Sequence, residues 1–468
     1  MKKIIALFAM LISTQVFAAN DAMIQLLDTL KERGTLDPTA YESLKSAAQA
    51  DEETNNAAGA EVGKKVEQSL AQLGTPGLTP GRFELKDKTG DFAWRTTGRI
   101  HYDTAFFDND GKFEQADAGQ FRRLRLGVAG TLNTNWKFKA EYDFRESDKG
   151  IEGLKDAFVE YVGKLPGINS TIHPTSIKIG QSHEPFSFDL LNSSNNGMFI
   201  ERALPVNTIA NYVGERNPGI KLTTWTEHFT YSAGIFGTRQ QETITDKGVD
   251  ETNPRDFNDG YAATGRVTWA PWHDGGRVLH IGSGISYRGF KDGNTVRLRE
   301  RMEINETSIR MIDTGSFPAE HLLRWNGEFV VVKGPFTFQS EYLGMQVNTE
   351  YGEPYFQGYY VSAGWFLTGE SRPYKFQEGI FDSVRPLSLV GKGGWGAWEL
   401  VGRFSDMDLN IENVIDAGRE KNLSVGLNWY PIQNIRFQTN YVKVLDVEGG
   451  KYTGSEPAAI VTRMVVFW

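Results

Sequence analysis

The sequence predicts an all-β fold: a transmembrane antiparallel β-barrel of about 16 strands, preceded by a short N-terminal α-helical periplasmic segment. Three observations carry this. From about residue 83 apolar residues alternate with polar ones in runs of about nine, the length a tilted strand needs to cross a bilayer. An export signal precedes them, and no uninterrupted apolar run of about 18 residues follows it, so the sequence offers no transmembrane helix. The chain ends Ile460-Val461-Thr462-Arg463-Met464-Val465-Val466-Phe467-Trp468, an alternating strand closed by an aromatic, as outer-membrane barrels end.

Composition narrows the field. The 468 residues contain no Cys, which excludes disulfides, thiolate metal sites and Cys nucleophiles together. Aromatics make up 12%, too many for a disordered chain. The formal charge of −9 gives no reason to expect nucleic acid as a partner. The low average hydropathy does not oppose a membrane barrel, because only half of each strand faces lipid.

Residues 1–18 read as a signal peptide. Lys2 and Lys3 form a basic start and Ile4 to Ile12 an apolar stretch too short to span a bilayer. Val16-Phe17-Ala18 fits a small-x-small cleavage site, which places the mature N-terminus at Ala19. Residues 19–80 form the helical segment and its linker. Ile24, Leu27 and Leu30 share one helical stripe, and Val62, Val66, Leu70 and Leu73 another. Asp37-Pro38 looks like a helix start, with Pro at the first helical position. Two readings stand for this segment, a solvated helical linker or a short coiled coil that assembles subunits. Gly74 to Gly81 (GTPGLTPG) is the turn-rich boundary.

Residues 81–468 form the barrel. At roughly 24 residues per strand and turn they make about 16 strands, enough for an aqueous channel. Trp136 to Phe144 puts its aromatics on even positions and Lys137, Lys139, Glu141 and Asp143 on odd ones. The alternation recurs at Trp325–Val331, Phe336–Tyr342, Tyr359–Trp365, Leu423–Trp429 and Ile435–Tyr441. Aromatics near strand ends read as interface girdles. Gly237 to Gly260, long and polar, reads as an extracellular loop.

A Lys or Arg on the lipid face at mid-bilayer costs about 2–4 kcal/mol, so strand charges should point into the lumen. That rule sends Arg99, His101, Arg123, Arg125, Lys178, Arg324 and Arg436 inward. Arg122 has the outward parity and is expected at a strand end or in a bulge. In Val296-Arg297-Leu298-Arg299-Glu300-Arg301-Met302 the three arginines project from one face of an extended segment, about 6.5–7 Å apart. They form either a row of anion sites along the permeation path, with Arg310 following, or a rim that binds lipopolysaccharide phosphates. Net charge does not choose between them: residues 81–468 carry 43 basic and 49 acidic residues, so the case rests on local placement.

The chain resembles the phosphate-selective porin O and P family of Gram-negative outer membranes over most of residues 95–468. The resemblance rests on FRRLRLGVAGTL (121–132), FKAEYDF (138–144), KDAFVEY (155–161), IGQSHEPFSFDLLNSSNNGMFIERAL (179–204), RLRERMEINETSIRMIDTG (297–315) and GAWELVGRFSDMDL (396–409), the fourth string being the most specific. It implies a homotrimer of 16-stranded barrels. Each pore would hold an arginine ladder leading to a central anion site, with lysines on the periplasmic side. On these positions the ladder falls on Arg297, Arg299 and Arg301, with Arg310 and Arg324 beyond. The central site falls on Arg122 and Arg123, with Asp156, Ser193, Ser194 and Arg202 as hydrogen-bonding companions. Hydroxyls donate to phosphate oxygens, and an acid can accept from a protonated phosphate, which chloride cannot exploit. The family's central lysine near the C-terminus meets Arg436, which has the right parity, whereas Lys443 has the wrong one. Bland readings remain beside these: a polar loop for Asn192, Ser193 and Ser194, and an ion pair of Arg202 with Glu201 or Glu184. Glu300 and Glu303 are expected to weaken the anion field.

Other chemistry is poorly represented. His183-Glu184 is not part of an HExxH motif, the seven His lack metal-ligand spacing, and no GxSxG or phosphate loop precedes a helix. No cofactor and no metal are expected. A barrel enzyme with a Ser–His pair at its rim stands as the enzyme alternative. The leading expectation is a passive outer-membrane channel for phosphate or related anions, bathed in outer-membrane lipid and lipopolysaccharide. The runner-up is a general or differently selective porin, for pyrophosphate, polyphosphate or organic anions.

Overall fold

The computed structural model describes residues 27–32, 37–47, 50 and 64 and, from 77 onward, all but 80–81, 88, 146–152, 165–173, 213–215, 238–259, 275, 291–294 and 351. The expected signal peptide, the Val62–Leu73 stripe and nearly all of the polar run 237–260 lie outside the described residues. The N-terminal unit contains helical residues 27–32 and 38–47. Asp37 caps the second: its Oδ1 accepts from the backbone N–H groups of Thr39 at 2.8 Å and Ala40 at 3.1 Å, with Pro38 at the first helical position. Leu27 and Tyr41 are buried, Tyr41 donates to Asp28 at 2.5 Å, and the Lys31 ammonium lies 3.7 Å over the Tyr41 ring. This is packing within one chain, where the sequence also allowed a coiled coil between subunits.

The second unit is the barrel. Its strands are β1 (Ala93–Asp108), β2 (Ala118–Leu132), β3 (Trp136–Asp143), β4 (Leu154–Gly163), β5 (Thr175–His183), β6 (Arg216–Trp225), β7 (Phe229–Gly237) and β8 (Tyr261–Asp274). The circuit continues with β9 (Arg277–Gly289), β10 (His321–Lys333), β11 (Phe336–Asn348), β12 (Tyr355–Phe366), β13 (Ala397–Asp408), β14 (Arg419–Ile432), β15 (Ile435–Glu448) and β16 (Ala458–Phe467). Each pairs antiparallel with the next. β16 closes on β1, from Ala458 opposite Asp108 to Phe467 opposite Arg99. Closure leaves no open sheet edge in lipid, and the count of 16 matches the sequence expectation. The terminal Trp468 extends the seam: its N–H donates to the Gly98 carbonyl at 3.1 Å, and the Gly98 N–H to its carbonyl at 3.2 Å.

Turns such as 133–135, 334–335 and 433–434 are short at one end, and the connections at the other are mostly long, which marks those ends as periplasmic and extracellular. The predicted parity holds. On β2, Leu124, Leu126 and Val128 are exposed to the lipid side, while Arg123 and Arg125 are buried in the lumen. Two aromatic girdles flank this band. Trp398, Trp429 and Phe437 stack in one, Phe336 and Trp365 stack beside them, and Trp325–Tyr355 and Tyr102–Phe121 belong to the other.

Three connections fold into the lumen instead of standing off it. Residues 184–211 link β5 to β6 and carry a short helix, Phe188–Leu191, and a π-helical turn, Val206–Ala210. Residues 295–318 link β9 to β10, and 367–396 link β12 to β13 from the short-turn end. The apolar core therefore sits inside the barrel. Phe186, Leu204, Val206 and Ile209 of the first segment pack on Val296, Leu298 and Ile312 of the second and on wall residues Leu322, Leu343, Met345 and Phe356. Each such side chain, fully buried, contributes about 1.5–3 kcal/mol. Phe381 of the third segment meets Phe188 edge to face at 4.9 Å between ring centroids.

One backbone position controls where the first segment departs. Gly180 on β5 has φ +122°, and a Cβ there would lie 2.3 Å from the Ala157 carbonyl oxygen of β4. Both the conformation and the space exclude other residues. Gly180→Ala should destabilise the barrel by about 1–3 kcal/mol in urea unfolding from lipid vesicles. Wild-type stability in that variant would contradict the assignment.

Candidate functional site

The arginine row lies on the second lumenal segment. Val296, Leu298, Glu300 and Met302 are buried, whereas Arg297, Arg299 and Arg301 alternate with them on the more open side. The strand Arg299–Glu300 is held flat by pairing with Ile312–Asp313. Apolar residues therefore fix the back of the row to the core, and the guanidinium groups face a polar cavity of about 290 Å³. Arg122, Arg297, Arg299, Arg301 and Arg310 line it, with Asn207, Asn211 and Glu201.

The five arginines differ in what they touch. Arg297 pairs with Asp313, its Nε 2.8 Å from Oδ1 and its second nitrogen 2.6 Å from Oδ2. Arg301 donates through Nε to the Thr307 carbonyl at 2.6 Å and has no carboxylate within ion-pair distance among the described residues. The Arg299 side chain makes no hydrogen bond or ion pair among the described residues and is exposed. Arg310 stands 3.8 Å from Glu300. Burial pushes the Arg310 guanidinium down to about 10, the nearby Arg301 charge adding to the effect.

Arg122 occupies a bulge, as its parity required. His101 of β1 faces Arg123 while Tyr102 faces Phe121, so Arg122 is the extra residue and turns inward beside Arg123. It then meets Glu201 in a two-pronged ion pair, at 2.8 and 3.2 Å. Glu201 also accepts from Arg463 at 2.7 Å. Arg123 is different. It is buried, and its one hydrogen-bonding neighbour among the described residues is His101 Nδ1 at 3.4 Å. It lines a second, narrower cavity with Ser193, Ser194, Arg202, Tyr360 and Arg403, which adjoins the first at Glu201. Ser194 and Ser193 face Arg99, whose guanidinium donates to their hydroxyls at 3.1 and 3.5 Å and leaves both O–H groups able to donate elsewhere.

Several expected site residues are engaged by other protein groups. Arg216 donates to Asp156 Oδ1 at 2.7 Å and Lys139 donates to its Oδ2. Arg202 donates to the carbonyls of Leu190 at 3.0 Å and Asp189 at 3.2 Å; the acids considered for it serve other arginines, Glu201 with Arg122 and Arg463, and Glu184 with Arg288 and Arg324. Arg324 donates to the carbonyls of Ile209 and Ala210, and Arg436 to those of Gly197 and Ser194. Both point inward, but each pins the first lumenal segment to the wall. Glu303 lines the cavity of the row, but its carboxylate is engaged by other groups. At φ +60° it turns back, pairs with Arg403 at 2.7 Å, and accepts from the Leu204 N–H and the hydroxyls of Ser405 and Ser424. Residues absent from the sequence-based site, Arg403 and Arg463 among them, stand at lumen-facing parity between outward Leu400 and between outward Ile460 and Met464, and that alternation was the available signal.

A closed 16-stranded barrel with charged segments folded into a watery lumen defines an outer-membrane porin. The chain belongs to the family described as phosphate-selective porin O and P, whose profile matches residues 95–468. It is similar to Porin O of Pseudomonas aeruginosa, 27% identical over 409 residues, covering 78% of this chain and 86% of the relative. An uncharacterised protein of Caulobacter vibrioides is 29% identical over 369 residues, 77% of this chain and 70% of the relative. Among solved structures, the fold is similar to OmpF of Salmonella typhi in complex with daunomycin, with a TM-score of 0.50 at 12% identity over 81% of this chain and 98% of that one.

Burial pushes Glu300 up to about 7, and Glu306 up to about 7 with Asp103 and Glu201 adding repulsion. Above that range both acids are ionised and add negative charge to the lumen, Glu300 beside Arg301 and Arg310 and Glu306 near Arg463; below it they are neutral. The anion-over-cation permeability ratio, read from reversal potentials in a KCl gradient, should therefore rise between about pH 8 and pH 6. Glu300→Gln/Glu306→Gln should hold the acid-side ratio throughout. A flat ratio in the wild type would refute this.

Proposed function

We propose that the protein is a trimeric channel that passes inorganic phosphate, or closely related anions, passively across the outer membrane, after export directed by residues 1–18. The observation that carries this reading is the set of lumenal arginines without a carboxylate at ion-pair distance among the described residues: Arg299, Arg301 and Arg123. They lead from the extracellular cavity to the hydroxyls of Ser193 and Ser194. A guanidinium is always charged and offers a planar fork to phosphate oxygens. Several such sites of modest strength let an anion step from one to the next, which conduction requires. Lys178 and Lys221, neighbours on β5 and β6, fit the lysines expected nearer the periplasm. The names of the family and of the Pseudomonas relative agree with this reading.

A second reading, a general or differently selective porin for pyrophosphate, polyphosphate or organic anions, is favoured by the two acid partners. Asp313 and Glu201 offset Arg297 and Arg122, and the barrel region as a whole is net negative.

Chloride conductance of the purified protein in a planar bilayer, titrated with phosphate, separates the two. Half-block at phosphate far below the chloride concentration is expected. Arg123→Gln should raise the half-blocking concentration at least about tenfold, and Arg299→Gln/Arg301→Gln should lower anion preference more than Arg297→Gln does. Absence of block in the wild type would move the protein to the second reading.

A further inference from the structure

We propose that His101 is the positioning residue of the central anion site, holding the Arg123 guanidinium in place through an imidazole of fixed tautomer. The inference deepens the channel reading above and rests on it. His101 lies on β1, fully buried, with both ring nitrogens engaged. Nδ1 lies 3.4 Å from the guanidinium of Arg123, and Nε2 lies 3.0 Å from Oδ1 of Asn195 in the first lumenal segment. A guanidinium has only donors, so Nδ1 must present its lone pair to Arg123. The remaining ring proton then sits on Nε2 and is donated to Asn195. With the roles reversed, two donors would face each other at Arg123, so the arrangement admits one neutral form.

The position makes this more than a packing contact. Arg123 lacks a carboxylate partner among the described residues, and nothing else there accepts a hydrogen bond from it. Its side chain therefore depends on an uncharged acceptor, which orients the guanidinium without neutralising it. Arg122, one residue away, is oriented by Glu201 and loses most of its field in the process. The charges surrounding His101 are those of Arg99, Arg123 and Arg463, with Asn195 as the neutral contact from the lumenal segment. Asn195 also belongs to the run whose Ser193 and Ser194 face Arg99. One ring thus sets the register between the arginine of the wall and the hydroxyls of the lumenal segment.

Two amides separate the two ring nitrogens, because asparagine reproduces the reach of Nδ1 and glutamine that of Nε2. Purified channels of His101→Asn, His101→Gln and His101→Phe are compared for phosphate block of chloride current and for reversal potential in a KCl gradient. Heat-modifiable gel mobility and open-channel current confirm that each barrel has formed. The half-blocking phosphate concentration should rise about tenfold in His101→Phe and in His101→Gln, the effect of losing one hydrogen bond to a charged group, and stay within about twofold of wild type in His101→Asn. On an Arg123→Gln background, His101→Phe should add nothing, since the two act as one unit. A glutamine variant that behaves as wild type beside a weakened asparagine variant would overturn the proposal in favour of simple docking of the segment. So would equal effects of His101→Phe with and without Arg123. If the wild type shows neither block nor anion preference, the channel reading itself fails and this proposal with it. If the wild type shows both and no His101 variant changes them, only this proposal fails.

Discussion

The constraint on which the rest depends is the hydrogen-bonding requirement of irregular backbone inside a barrel. Residues 184–211 cross the lumen with little regular structure, and each of their buried N–H and C=O groups needs a partner. The wall and the other two lumenal connections supply them with charged side chains. Arg324, Arg372, Arg403, Arg436 and Arg463 donate to carbonyls of this segment, while Glu341 and Glu303 accept from the N–H groups of Phe188, Asp189 and Leu204. Removing one of these side chains leaves a buried carbonyl or N–H group without its partner, at a cost of about 1–3 kcal/mol. The lumenal segment is therefore fixed to the wall on many sides, and its position decides where the passage runs.

This requirement also decides which arginines keep donors that the fold does not consume. Lumenal arginines are numerous, but most have carbonyls or acids filling their forks. What remains are side chains whose donors the fold does not consume, and these lie on the rim of 295–318 and at the bulge of β2. The bulge is the device that produces this asymmetry. It turns two consecutive residues inward where a regular strand would turn one, so Arg122 engages Glu201 while Arg123 stays available.

Most of the fold was legible because lipid imposes a strict parity. A residue on a spanning strand faces either hydrocarbon or lumen, and the cost of error is a few kcal/mol, so alternation, strand length and strand number follow from sequence. Even the irregularity at Arg122 could be read, as a violation of that parity. The row at 297–301 was visible for the same reason, since its buried even positions mimic a strand. The site was less legible. Parity says that Arg324, Arg436 and Asp156 point inward, but not what they meet there, and each meets at least one residue distant in sequence: Ile209, Gly197 and Arg216 respectively. The long connection 367–396 gave no signal of entering the barrel; anchors such as Arg372 to Asn196 and Phe381 to Phe188 join segments distant in sequence.

The acid partners deserve a physical role beyond neutralisation. A pore lined only with unpaired guanidinium groups would hold a divalent anion too tightly to release it, since each charge acts in a confined, partly dehydrated space. In this lumen acids alternate with bases: Asp313 beside Arg297, Glu300 beside Arg310 when ionised, Glu201 beside Arg122. Each pair leaves a dipole of short range between the unpaired charges of Arg299, Arg301 and Arg123. In the proposed channel, an anion would then meet a series of shallow wells instead of one deep one. That explains how a barrel of net negative charge can present an attractive path to anions: over a Debye length of about 8 Å an ion responds to the nearest unpaired group, not to the sum over the barrel.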